Sequence, residues 1–160
     1  MAILTNSGRA AAAAAIKAQS LYMAWGSGDP AWDVTPVPEP AEATALVNEI
    51  GRRRVTQALF CLPDPQGELV VPTGRFTQSD TPTKYLYMRF SFDFTDAPAS
   101  TIREVAVFSG TTVKVSVPAG QDYVIPSEIE NPGLMLALEH IDALVRSSSV
   151  RQQFEFVIQF

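Results

Sequence analysis

The sequence predicts an α+β chain that is mainly β: an antiparallel β-sandwich-like domain with two helices from its N-terminal half packed on it. Three observations carry this. Residues 85–95 alternate strictly, with Leu86, Met88, Phe90, Phe92 and Phe94 on one side and Arg89, Ser91, Asp93 and Thr95 on the other. That is the period of a strand with one buried face. Residues 150–160 repeat the pattern with Phe154, Phe156, Ile158 and Phe160. The segments with helical character, 10–19 and 41–50, both lie in the first third, which leaves no crossover helices for a parallel sheet in the second half.

Composition bounds the function. A chain of 160 residues with 46% hydrophobic and 18% charged side chains is globular and long enough for a real core, and it is read as a single domain, 1–160. A net charge of −5 argues against wrapping nucleic acid, which needs a basic surface. No apolar run approaches the roughly 20 residues that span a bilayer. The N-terminus lacks a basic region followed by an apolar one, so residues 10–19 read as a mature helix and not as a signal peptide. With one cysteine, Cys61, and one histidine, His140, there is no intrachain disulfide and no Cys/His zinc site. No nucleophile motif accompanies His140, which is expected to make ordinary hydrogen bonds. The expectation is therefore a non-enzyme without catalytic residues, cofactor or metal.

The alanine run 10–15 is a helix that Asn6 or Ser7 can cap, with small side chains that lie flat on a sheet. Residues 21–25 are an apolar strand, stopped by Gly26-Ser27-Gly28-Asp29-Pro30. The Gly-x-Gly is followed by prolines, not by a helix, so it is a tight turn and not a phosphate loop. Trp25 and Trp32 flank this turn, either as packing residues or as anchors for a partner protein. Pro36, Pro38 and Pro40 make residues 33–40 an extended surface loop. Ala43, Leu46, Val47 and Ile50 recur at helical spacing, Gly51 stands where a helix would end, and Arg52-Arg53-Arg54 suit a helix C-terminus.

Residues 55–62 and 68–72 read as strands of one hairpin, and 73–83 as a long loop. Residues 102–108 are a short apolar strand paired in a hairpin with 111–117 across Ser109-Gly110. Within the first of these, Arg103 and Glu104 are adjacent, so alternation turns one of them towards the core, where a charge needs a partner. Residues 126–133 hold about one helical turn, and 134–141 is read as a strand in preference to a helix. The aromatic strand at 150–160 is expected to be pinned in a sheet or against a neighbouring subunit.

Four blocks in order resemble a known family: Leu4-Thr5-Asn6-Ser7-Gly8-Arg9-Ala10, Met23-Ala24-Trp25-Gly26-Ser27-Gly28, Ala43 through Arg52 with its Ala-Leu-Val-Asn-Glu-Ile-Gly-Arg, and Thr101 through Phe108 with its Ile-Arg-Glu-Val. They are similar to the N-terminal domain of bacteriophage tail-collar and tail-fibre proteins, which is baseplate-associated and docks fibres. Ala106 departs from the family's usual glycine, and the chain stops at Phe160 without a fibre shaft. The resemblance implies a structural component of the virion tail, assembled in the host bacterial cytoplasm. It would dock or adapt a fibre to the baseplate through other tail, baseplate or fibre proteins, as a homo-oligomer and without nucleic acid or membrane. A neck or collar component is the alternative. So is a small carbohydrate-binding β-sandwich using Trp25, Trp32 and Tyr85, and acid–base chemistry by Asp29, Asp33, Glu39 and Glu42 ranks last. The matched blocks also suggest a charge network in which Glu49 pairs with Arg103 and Arg52 with Glu104, fixing the second helix to the sheet.

Overall fold

The computed structural model describes residues 1–160, and most of them are strand. In chain order the elements are α1 (Asn6–Lys17), β1 (Leu21–Gly26), a 3-10 helix (Pro30–Asp33), β2 (Glu49–Arg54), β3 (Gln57–Pro63), β4 (Leu69–Val71), β5 (Gly74–Ser79), β6 (Tyr85–Phe92), β7 (Thr101–Ser109), β8 (Thr112–Val113), β9 (Tyr123–Val124), a 3-10 helix (Pro126–Glu128), β10 (Ile129–Asn131), β11 (Leu134–Val145) and β12 (Gln152–Gln159). Two five-stranded sheets run in the orders β11-β7-β1-β2-β9 and β12-β6-β3-β5-β4, and β8 and β10 form a separate ribbon. The chain divides into two compact units: residues 1–19, 55–90 and 153–160, and residues 20–54 and 91–152.

The first unit holds α1 and the second of the two sheets. The Thr5 hydroxyl caps α1 by accepting the Gly8 N–H at 3.2 Å, one position before the cap the sequence suggests. At the other end the Lys17 ammonium lies 4.9 Å over the Phe60 ring of β3. Leu86, Met88 and Phe90 of β6 are fully buried, as the alternation requires. Tyr87 on the opposite face is buried too, with Cys61, Val71 and Phe76, so this strand is covered on both sides.

Two readings are corrected in this unit. Residues 73–83 are not a loop, because β5 pairs with both β3 and β4 and separates the two expected hairpin partners. What the polar sequence Gly-Arg-Phe-Thr-Gln-Ser conceals is Phe76, the one large apolar residue of β5, which drops into the core. At the C-terminus β12 is the edge strand beside β6, and the Phe160 N–H donates to the Lys84 carbonyl at 2.9 Å.

The second unit is built around β1, whose six residues are all buried. A continuous apolar run suits a central strand covered on both faces. Its neighbours are β2 and β7, both antiparallel to it. The predicted second helix is absent: residues 41–48 are turns and loop, and Glu49–Arg54 is strand β2. Asn48 has φ 54°, a left-handed conformation that breaks any helical run before Glu49. Gly51 is needed for a different reason than ending a helix, since a Cβ there would collide with the Tyr123 hydroxyl of β9.

The expected hairpin between 102–108 and 111–117 is also replaced. β7 pairs with β11, while β8 pairs with β10. Gly110 turns the chain with φ 76° and its N–H goes to the Ser20 carbonyl at 2.9 Å, so the segment after it leaves the β7 ladder. The strand reading of 134–141 holds and extends to Val145.

Candidate docking site

The matched charged residues sit on β2 and β7, on either side of β1. Across these strands, Glu49 of β2 and Glu104 of β7 both pair with Gly26 of β1. The β1–β2 register skips Ile50, a bulge that brings Glu49 onto the face of Arg52. The Arg52 guanidinium therefore reaches back along its own strand, with Nε and Nη2 donating to the two Glu49 oxygens at 2.7 and 3.0 Å. Its Nη1 donates to Thr111 Oγ1 at 3.0 Å and to the Pro132 carbonyl at 2.6 Å. Its plane lies 3.6 Å over the Phe108 ring. Buried and fully engaged, Arg52 ties β2 to the two loops that flank the β8–β10 ribbon.

The expected pairings of Glu49 with Arg103 and of Arg52 with Glu104 are thus not those observed. Arg103 is bidentate to Asp33 of the proline-rich loop, Nε and Nη2 each donating at 2.8 Å. That guanidinium holds the Asp33 carboxyl below the usual carboxylate range. Alternation separates Arg103 from Glu104 as expected, and it is Glu104 that goes inside, at 1% exposure. Gly26 makes room for it, because a Cβ there would overlap the Glu104 carboxyl. Burial pushes that carboxyl up, opposed by the backbone N–H groups of Val47 and Gly28 and by nearby His140. One oxygen, Oε1, has no hydrogen-bond partner.

The other two arginines of the triplet are also engaged. Arg53 Nη1 donates to buried Asp96 at 2.8 Å, and Arg54 donates to the Tyr22 hydroxyl at 3.1 Å. Neither follows a helix C-terminus, and the triplet is no free basic patch. Arg146, which the sequence did not mark, is buried and donates to the carbonyls of Val150 and Asp93, both at 2.8 Å.

The loop from Asp29 to Asn48 is tied down along its length. Asp29 caps the first 3-10 helix through the Ala31 N–H at 2.8 Å. Trp32 of that helix stacks on His140 of β11, ring centroids 4.2 Å apart. His140 Nδ1 lies 2.9 Å from the Val37 carbonyl, and its backbone N–H donates to Glu39 at 3.0 Å, which keeps the Glu39 carboxyl low. Two cavities share Trp32, Val37 and His140 in their walls. The larger, about 410 Å³, adds Asp33, Pro36, Ile141 and Asp142, and the smaller, about 200 Å³, adds Pro38, Val47, Glu104 and Leu138.

Of the two tryptophans marked as partner anchors, Trp32 is at the surface and lines both cavities. Trp25 is fully buried and stacks on Phe92 at 3.5 Å. Tyr85, the third aromatic of the carbohydrate reading, packs against Phe76. No stacking platform for a sugar is formed by these three. His140 makes the ordinary hydrogen bonds expected of it, whereas Asp33 and Glu39 escaped the sequence reading as structural partners. The only signal for them was the density of carboxylates in a loop rich in proline.

The family model described as baseplate wedge 3 tail fiber network component matches residues 1–160. The chain belongs to that family. No curated protein matches it. The family bears out the likeness to phage baseplate and tail-fibre proteins: this is a structural component of the virion tail, within the baseplate's fibre network, with other phage structural proteins as partners. Membership favours the baseplate over the neck and a structural role over an enzymatic one.

Proposed function

We propose that this chain is a docking adaptor that joins a fibre to the baseplate wedge by protein–protein contacts, as one of several copies in a symmetric assembly. The family match over the whole chain carries the reading. Two features of the molecule support it. The strands β11 and β12 end their sheets, leaving unpaired backbone for strand addition, and β11 exposes Leu134 and Val145. The loop around Trp32 supplies a shaped, partly apolar surface beside β11. The chain is made and assembled in the host cytoplasm as a single structural domain, and Trp32, Asp33 and Arg103 lie at its contact with a partner.

Electron microscopy of particles made without the chain tests this. Baseplates that form but fail to hold fibres are the expected outcome, and fibres that stay attached would overturn it. Light scattering on the purified chain should give a multimer, while a monomer at every concentration would remove the homo-oligomeric part.

A further inference from the structure

The smaller cavity beside Trp32 joins two chemistries. Its walls are apolar, with Val37, Pro38, Val47 and Leu138 among them, and Glu104 lines it as the one carboxylate. Glu104 is 1% exposed, and its Oε1 has no partner. A buried carboxylate oxygen left without a donor is costly, so the site is complete only when something supplies one. No lysine or arginine lines either cavity, and the larger one carries Asp33 and Asp142. A cationic side chain from outside the chain would supply that donor and balance the Glu104 charge.

We propose that this cavity is a docking pocket for a lysine side chain of a partner protein in the fibre network, with Glu104 accepting the ammonium and the apolar walls holding the four-carbon stem. The inference rests on the docking reading above and names the chemistry of its partner. Lysine fits better than arginine for a geometric reason. A guanidinium binds a carboxylate through two parallel hydrogen bonds, which needs both oxygens. Glu104 offers one unpartnered buried oxygen, Oε1, packed against Gly26. An ammonium is a point charge satisfied by one oxygen, and its stem buries readily along apolar surface. A cavity of about 200 Å³ has room for such a stem. The neighbouring cavity of about 410 Å³, lined by residues 140–143 of β11, gives the flanking partner backbone a path.

The test is an NMR titration of the full chain with the pentapeptide acetyl-Gly-Gly-Lys-Gly-Gly-amide, read at the Trp32 indole and the His140 ring. Saturable binding is expected, at least about tenfold tighter than that of the same peptide with norleucine, which keeps the stem and lacks the charge. The arginine peptide and free pentylamine should both bind more weakly than the lysine peptide. Glu104→Gln should lose about tenfold or more in affinity while the Trp25 indole resonance stays in place. Val37→Trp, at a position 41% exposed, fills the mouth without touching the core and should have the same effect if Glu104→Gln fails to fold. Equal binding of norleucine, tighter binding of arginine, pentylamine matching the peptide, or an unaffected Glu104→Gln would each overturn the proposal. Failure of the docking reading shows elsewhere, in particles that keep their fibres without this chain. In that event the partner lysine falls with it, whatever the peptides do.

Discussion

At the scale of single residues, Arg52 carries the heaviest structural duty of the charged groups. Its side chain is 3% exposed and its donors satisfy Glu49, Thr111 and the Pro132 carbonyl together. Arg52→Ala strands the Glu49 carboxylate, while the Pro132 carbonyl keeps the Thr111 hydroxyl, so it is expected to cost about 3–5 kcal/mol. A urea melt measures this, and a loss within about 0.5 kcal/mol, the range of ordinary surface substitutions, would show that the network is replaceable.

Glu104 gives the opposite case, a charge the fold resists. Its folded carboxyl lies above its ordinary value of 4.5 because of burial. The folded state therefore binds that proton more tightly than the unfolded chain does. Its contribution is fully present below the unfolded value and is lost as pH rises through the folded one. Asp33 and Glu39, held low by Arg103 and by the His140 N–H, work in the other window and lose their contribution as pH falls. Glu104→Gln should therefore gain stability over the parent progressively above pH ~4.5, while matching it in more acidic solution. Chemical melts at several pH values read the difference, and a constant offset would contradict the assignment. Alternation in the sequence announced that one of Arg103 and Glu104 must go inside. It could not name the partners, because Asp33 is 70 residues from Arg103 and the Glu104 carboxyl meets backbone, which has no sequence signature.

At the scale of elements, the strands rich in large apolar residues were legible and β2 was not. The alternation of β6 and the apolar run of β1 each reflect burial directly. The spacing of Ala43, Leu46, Val47 and Ile50 imitated a helix, yet only Leu46 of the four is buried, packed with the small pair Ala24 and Ala106. The other three follow the loop and the start of β2, where helical spacing has no meaning. Gly51 decides between the readings. At the end of a helix Gly51→Ala would cost about 1–2 kcal/mol through the left-handed conformation alone, with no dependence on Tyr123. In β2 the new Cβ meets the Tyr123 hydroxyl and comes within 2.9 Å of the Val124 carbonyl. Destabilisation of about 1–3 kcal/mol is expected, in the range of an overpacked site. Tyr123→Phe in the same chain should recover part of it and leave the part due to the carbonyl. Burial pushes the Tyr123 phenol up to about 12, so this hydroxyl stays neutral throughout such a measurement.

At the scale of the whole molecule, sequence patterning predicted mainly antiparallel strands but could not show how the chain is shared between its parts. The two units alternate along it as five segments, 1–19, 20–54, 55–90, 91–152 and 153–160, so the chain crosses between them four times. Strand β6 itself runs across one crossing, with Tyr85 through Phe90 in one unit and Ser91 and Phe92 in the other. Opening either unit alone would leave the other with loose internal segments, which raises the entropy of closing its own sheet. We therefore expect the chain to unfold as one cooperative domain. The residues provide separate reporters. Both tryptophans, Trp25 and Trp32, lie in residues 20–54, while the one cysteine, Cys61, is fully buried in the other unit. Burial pushes the Cys61 thiol up to about 11, so in the folded protein it is inert at neutral pH and reacts only when its unit opens. Tryptophan fluorescence and thiol labelling followed against urea should give coincident transitions with one midpoint. Labelling that begins at lower urea than the fluorescence change would show that the unit holding α1 and β12 opens first, and that the two are separate domains.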